Sequence, residues 1–290
     1  MKTCLICPSE RSSVFALTDV APLATLPVLG KSLVEFWLEH LRRKGVTEVR
    51  VLAADRPELV RRLVGTGARW GLSAEVVSEP RELSPDLARK KYPVSDQAGW
   101  LPAPDDMILM DHFPGQPGSL PFSSLADWFV AILAWMPVAA TLNRIGVHEH
   151  QPGVWVGKRA RIAPTAKLIG PCWIGEHVTV GPNSTIGPMA VLEDRVVIEA
   201  DCELSGSIIG PATLVGRFSE LGQSLAWGST LVNWSTGSRV KVLDPLMMCA
   251  LGKPPSQRSE ISWLKQLSGI YTRSKEDVLL LWNRRRIKLP

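Results

Sequence analysis

Residues with the types and spacing that chemistry uses occur at four places in this sequence. Cys4 and Cys7 form a Cys-x-x-Cys pair in Cys4-Leu-Ile-Cys7. A structural zinc site needs two more ligands, usually a second such pair, and the chain has no second pair. The run is apolar, so a buried strand is the expectation. His177 has the imidazole a general base needs, but it stands inside Ile174-Gly-Glu-His-Val-Thr179 with no inserted loop around it. A surface histidine is expected there. His148 and His150, in Val147-His-Glu-His150, are two residues apart, and two imidazoles in a linker make a poor metal site. The fourth place is basic: residues 253–290 hold nine Lys and Arg against three Asp and Glu.

The elements that carry these groups follow from periodicity. From Val156 an aliphatic residue recurs every six positions, at Ile162, Leu168, Ile174, Val180, Ile186, Leu192, Ile198 and Leu204. One residue then drops out, and the period resumes at Ile209, Val215, Leu221 and Trp227. A helix cannot keep every sixth residue on one face, and a flat strand repeats every two. A solenoid with three short flat sides per coil satisfies the period. Each hexad makes one side and points its anchor inward, with Cys172 and Cys202 at further inward positions. Glycine follows many anchors, as at Gly157, Gly175 and Gly181, and is expected to relieve the corners. The pattern resembles the hexapeptide-repeat left-handed parallel β-helix, with residues 151–245 forming the coils. Trp155 and Trp173 precede anchors and should face outward; with Trp234 they suggest an interface with another subunit or partner, or a surface covered by the chain itself.

The first part alternates strand and helix. Thr3–Cys7, Val49–Ala53, Ala74–Val77 and Met107–Met110 read as buried strands. Lys31–Lys44 and Glu58–Val64 read as helices, the first stopped by Gly45. Such alternation predicts a Rossmann-like α/β domain over 1–120, with a parallel sheet and ligands at the strand C-termini. Residues 121–150 carry an amphipathic helix, Ser124–Met136, and a linker. Residues 246–290 read as a basic helical tail.

Ala21-Pro-Leu-Ala-Thr-Leu-Pro-Val-Leu-Gly-Lys31, then a helix, then Gly45-Val-Thr-Glu-Val-Arg-Val51, resembles the N-terminal region of sugar-nucleotide pyrophosphorylases. These nucleotidyltransferases, mannose-1-phosphate guanylyltransferases among them, commonly carry a hexapeptide β-helix behind the catalytic domain. The resemblance covers roughly 1–118 and 150–245. It implies a glycine-rich loop after the first strand that cradles a nucleoside triphosphate, a loop Arg, a Lys in a Pro-Lys pair, and an Asp that holds Mg²⁺. Here the loop is Cys7-Pro-Ser-Glu-Arg-Ser-Ser-Val-Phe15, without glycine, and the Pro-Lys pair is Pro22-Leu23. By the resemblance Arg11, Glu79 and Asp111 would bind nucleotide, and Asp111 would bind the metal; no catalytic residue is assigned. Losing one preorganised charge-stabilising group costs roughly 10²–10³ in rate. The expectation is therefore a catalytically degenerate relative that senses a sugar nucleotide or scaffolds surface-polysaccharide synthesis. An active pyrophosphorylase using Mg²⁺ is the alternative. A hexapeptide-repeat acyltransferase, with His177 as base, is the second.

Composition sets the remaining bounds. With 45% hydrophobic and 21% charged residues, the chain is not disordered as a whole. The longest apolar stretch, near 129–142, is interrupted by Pro137 and is shorter than a membrane span. Residues 1–11 have no signal-peptide pattern, and five scattered cysteines fit a reducing cytoplasm. The net charge of +5 lies in the tail, which argues against nucleic acid and leaves the tail free to meet a protein or an anionic membrane. A homo-oligomer through the β-helix is expected.

Overall fold

The computed structural model describes residues 1–92, 99–116, 118, 120–140 and 145–252. The chain divides into two units, Met1–Leu251 and Gly252–Pro290; the expected helices of the basic tail lie outside the described residues.

The first layer is a parallel sheet of β1 (Lys2–Ile6), β4 (Glu48–Ala53), β5 (Ser73–Ser78) and β6 (Met107–Leu109), in the order β5-β4-β1-β6. Between β1 and β4 come α1 (Phe15–Thr18), a hairpin of β2 (Pro27–Val28) and β3 (Lys31–Ser32), and α2 (Leu33–Arg43). Ser32 begins α2 with a full capping box: its hydroxyl accepts from the Glu35 amide and the Glu35 carboxylate accepts from the Ser32 amide. Then follow α3 (Pro57–Val64), α4 (Pro85–Lys91) and α5 (Leu125–Ala139). The expected strands and helices thus form, each within a residue or so at most ends. Cys4 and Cys7 lie buried on or just past β1, and burial pushes the Cys4 thiol up to about 12.

From Val154 the chain winds as a parallel β-helix with three sides. One side stacks 154–157, 172–174, 190–192, 208–209 and 224–227, the second 161–162, 179–180, 197–198 and 213–215, and the third 167–168, 185–186, 203–205 and 220–222. Val156, Ile174, Leu192 and Ile209 align and fill the core. Ala226, aligned with Ile209, takes the next place. This corrects the expected anchor Trp227: a second residue drops out between Leu221 and Ala226, so Trp227 turns away from the core. Both ends of the long side are closed by antiparallel strands, Val147–Gln151 at one and Thr230–Asn233 with Arg239–Lys241 at the other, which covers otherwise unpaired edges.

Gly187 and Gly228 relieve left-handed backbone as expected, with φ 100° and 58°, but Gly157, Gly175 and Gly181 have a different reason. Left-handed backbone at the corners is taken by Arg159, His177, Asn183, Arg195 and Asp201, with φ between 57° and 61°. Gly157, Gly175 and Gly181 instead sit where the next coil crosses. A Cβ at Gly181 would lie 2.5 Å from the Glu199 carbonyl carbon.

Trp155 and Trp173 do point out of the coil, in one column with Val191, Ile208 and Leu225. The chain itself covers that column. Trp173 is 1% exposed, and a single hydrophobic cluster joins it to α2, α5 and the sheet. Trp234 stacks on Phe129 of α5 at 4.8 Å and donates from its indole N–H to the Gly206 carbonyl. The tryptophans thus serve an internal seam: the helix expected to be amphipathic, α5, is instead apolar on nearly every face and needs cover on both sides.

Candidate functional site

The C-terminal ends of β1, β5 and β6 carry the residues that the sequence singles out. Arg11 follows β1, Glu79 follows β5 and Asp111 follows β6. The sheet order puts β5 and β6 at opposite edges. Among the described residues no hydrogen bond or ion pair joins any two of the three.

The loop after β1 does hold an anion, but one supplied by the chain. The Glu82 carboxylate accepts from the Ser9 amide at 2.6 Å, the Ser9 hydroxyl at 2.8 Å, and both terminal nitrogens of Arg11 at 2.8 Å each. A backbone N–H, a hydroxyl and a guanidinium fork make up the donor set that would grip a phosphoryl group. Burial pushes the Glu82 carboxyl up, yet the bonds from Arg11 and Ser9 outweigh it and hold the group below its ordinary range. It is ionised at neutral pH. Ser13 ties the rest of the loop to the Phe122 carbonyl at 2.8 Å, and Glu10 accepts from Thr18 at 3.3 Å.

Glu79 is 6% exposed. It accepts from Lys91 at 2.6 Å and from the Tyr92 hydroxyl. Burial alone would raise its pKa, but these donors bring it below the usual carboxylate value. Asp111 is half-buried, and its carboxylate meets His112 Nδ1 at 2.8 Å. The backbone carbonyl of His112 in turn accepts from the Trp37 indole at 3.0 Å. Glu79 therefore has its charge met by its neighbours, while Asp111 leans on a histidine at the far edge.

His177 is exposed at a coil corner, and its backbone N–H donates to the Lys158 carbonyl at 3.0 Å. His148 and His150 face each other at 6.4 Å on the strand that opens the β-helix. Among the described residues no three His, Cys, Asp or Glu gather as for a metal, and no helix is long and apolar enough to cross a membrane.

Two glutamates that sequence reasoning passed over matter most. Glu82 follows β5 in Arg81-Glu-Leu-Ser-Pro85, and its partners lie more than seventy residues earlier. Glu193 is 1% exposed in the β-helix, and its two carboxylate oxygens accept from the Leu29 amide at 2.6 Å and the Gly30 amide at 2.8 Å. That turn has both residues left-handed, with φ 52° and 75°, so its two amides point the same way onto one carboxylate. No local spacing announces either contact.

Residues 153–188 match the family described as Bacterial transferase hexapeptide (six repeats). No curated protein matches the chain. Among solved structures, it is similar to perosamine N-acetyltransferase from Caulobacter crescentus, in complex with CoA and GDP-perosamine. That likeness has 13% identity and a TM-score of 0.20, over 63% of this chain and 93% of that one. At that TM-score it carries no argument. The chain thus carries hexapeptide repeats behind an α/β region.

Proposed function

We propose that this protein is a nucleotidyltransferase-like scaffold or sensor of sugar-nucleotide metabolism in which nucleotidyl transfer has been lost. The observation that carries the reading is the Glu82 carboxylate bonded to Ser9 and Arg11. An entering triphosphate would have to displace an ion pair and would meet a negative charge. The missing loop glycines and the Pro22-Leu23 pair point the same way. The reading takes 1–120 as the nucleotidyltransferase-like domain, 151–245 as a left-handed β-helix, and Arg11, Glu79 and Asp111 as remnants of a nucleotide site. A homo-oligomer would use the coil sides that the α/β layer leaves open.

The test is pyrophosphate release, with Mg²⁺ and a panel of nucleoside triphosphates and sugar 1-phosphates. No turnover above the enzyme-free rate is expected. Steady turnover that Asp111→Ala abolishes would overturn the reading in favour of an active pyrophosphorylase.

The match of 153–188 to hexapeptide transferases favours a second reading, an acyltransferase that uses His177 as general base. It predicts acyl-CoA binding and transfer to an amino or hydroxyl sugar, lost in His177→Ala. Calorimetry with several acyl-CoAs that shows no heat rejects it.

A further inference from the structure

On the α2 side of the molecule, apart from the loop after β1, four elements line an open cavity of about 360 Å³. That volume lies in the range of small-molecule sites. β3 supplies Lys31, α2 supplies Arg42 and Arg43, the turn before β5 supplies Arg69 and Trp70, and α5 supplies Trp135. The spacing of α2 explains the gathering, because Phe36, Glu39 and Arg43 share one helical face.

The charges do not cancel. Lys31 pairs with Glu39 at 2.6 Å, and Arg69 pairs with Glu35. Arg42 forms no ion pair among the described residues. Arg43 has only a long contact, 3.4 Å, to a backbone carbonyl. Among the described residues these two guanidinium groups therefore have no acidic partner at the mouth of a concave site, where they focus positive potential. The wall beside them is aromatic. The Arg69 guanidinium lies 4.1 Å from the centre of the Trp70 ring. Trp135 is 5% exposed, and its buried indole N–H has no hydrogen-bond partner among the described residues.

We infer that this cavity binds a phosphorylated metabolite with a planar ring, of the nucleoside diphosphate class. Arg42 and Arg43 would take the phosphoryl oxygens, since a guanidinium fork matches phosphate geometry. The Trp70 and Arg69 wall would take the ring by stacking. A purely apolar ligand would leave both cations unanswered, and an inorganic anion would leave the aromatic wall uncovered. The inference does not depend on the function proposed above, because no residue of the cavity belongs to the loop that holds Glu82.

The test is equilibrium titration of the full-length protein with ADP and UDP, followed by tryptophan fluorescence, with inorganic pyrophosphate and adenosine as separate arms. Saturable quenching by a nucleoside diphosphate is expected. Pyrophosphate and adenosine should each bind roughly tenfold more weakly or worse, as each lacks one half of the recognition. The double substitution Arg42→Ala/Arg43→Ala should raise the dissociation constant by roughly tenfold or more, with an unchanged melting temperature, since both side chains are exposed. Trp70→Ala should weaken binding of ADP and leave that of pyrophosphate as it was. No saturable binding, or the same affinity in the double variant, overturns the inference. Loss of binding in Arg11→Ala alone would place the nucleotide in the loop after β1, and would count against this cavity and the plugged loop together.

Discussion

At the scale of single residues, two carboxylates hold this structure where no sequence motif points. Glu82 answers the donors of the loop after β1, and Glu193 answers the turn at Leu29 and Gly30. Glu193→Ala should cost about 1–3 kcal/mol, because it removes the carboxylate that accepts from the buried Leu29 amide and the half-buried Gly30 amide; urea unfolding of the two proteins measures the difference. Glu82→Ala frees Arg11 and the Ser9 amide. Its affinity for inorganic pyrophosphate should exceed that of the wild type by roughly tenfold, read by calorimetry; equal heats in the two proteins would show that these donors do not form an anion cradle. Acid should act through the same groups. Glu79 and Glu82 have folded pKa values below the ordinary 4.5. Their contribution to stability is full above that value and is lost as pH falls through the lower folded values. A melting temperature that begins to drop below about pH 4.5 is the expected profile, and Glu82→Gln should flatten part of that drop.

At the scale of elements, the hexad period was readable, as were most ends of the strands and helices. The six-residue spacing is imposed locally by a side of fixed length, so it survives in the sequence wherever the coil does. The role of Gly157, Gly175 and Gly181 was not readable, because it depends on what the neighbouring coil places above them. Gly181→Ala should destabilise the coil by about 1–3 kcal/mol, since the new methyl would press on backbone at Glu199 that cannot turn aside. His177→Ala, at an exposed corner, should change stability by much less. A thermal melt of both variants checks the contrast, and equal losses would contradict the stacking explanation. The shift from Trp227 to Ala226 has the same origin. A one-residue deletion near the end of the coil leaves too few later hexads to reveal the new phase. The site was legible only in outline. The absence of glycine from the loop after β1 could be read from the sequence, but the carboxylate that meets the loop's donors comes from another strand end and had no local signal.

At the scale of the molecule, the α/β layer and the β-helix share one hydrophobic cluster through α5 and the outward column that includes Trp173. Burial of this kind couples the two parts energetically. Trp173→Ala should cost about 3–5 kcal/mol, and its loss should be felt by the sheet as well as by the coil. Fluorescence and circular dichroism should therefore report coincident unfolding of the wild type. Two separated transitions would show that the seam is weaker than its burial indicates.

The central claim is that the chain's own carboxylate occupies the place of a phosphate after β1. A crystal structure of the protein grown with a nucleoside triphosphate and Mg²⁺ tests it most directly. The account predicts Glu82 still bonded to Arg11 and Ser9, with no phosphoryl group against residues 9–13. A triphosphate lying along that loop, with Glu82 displaced, would contradict it.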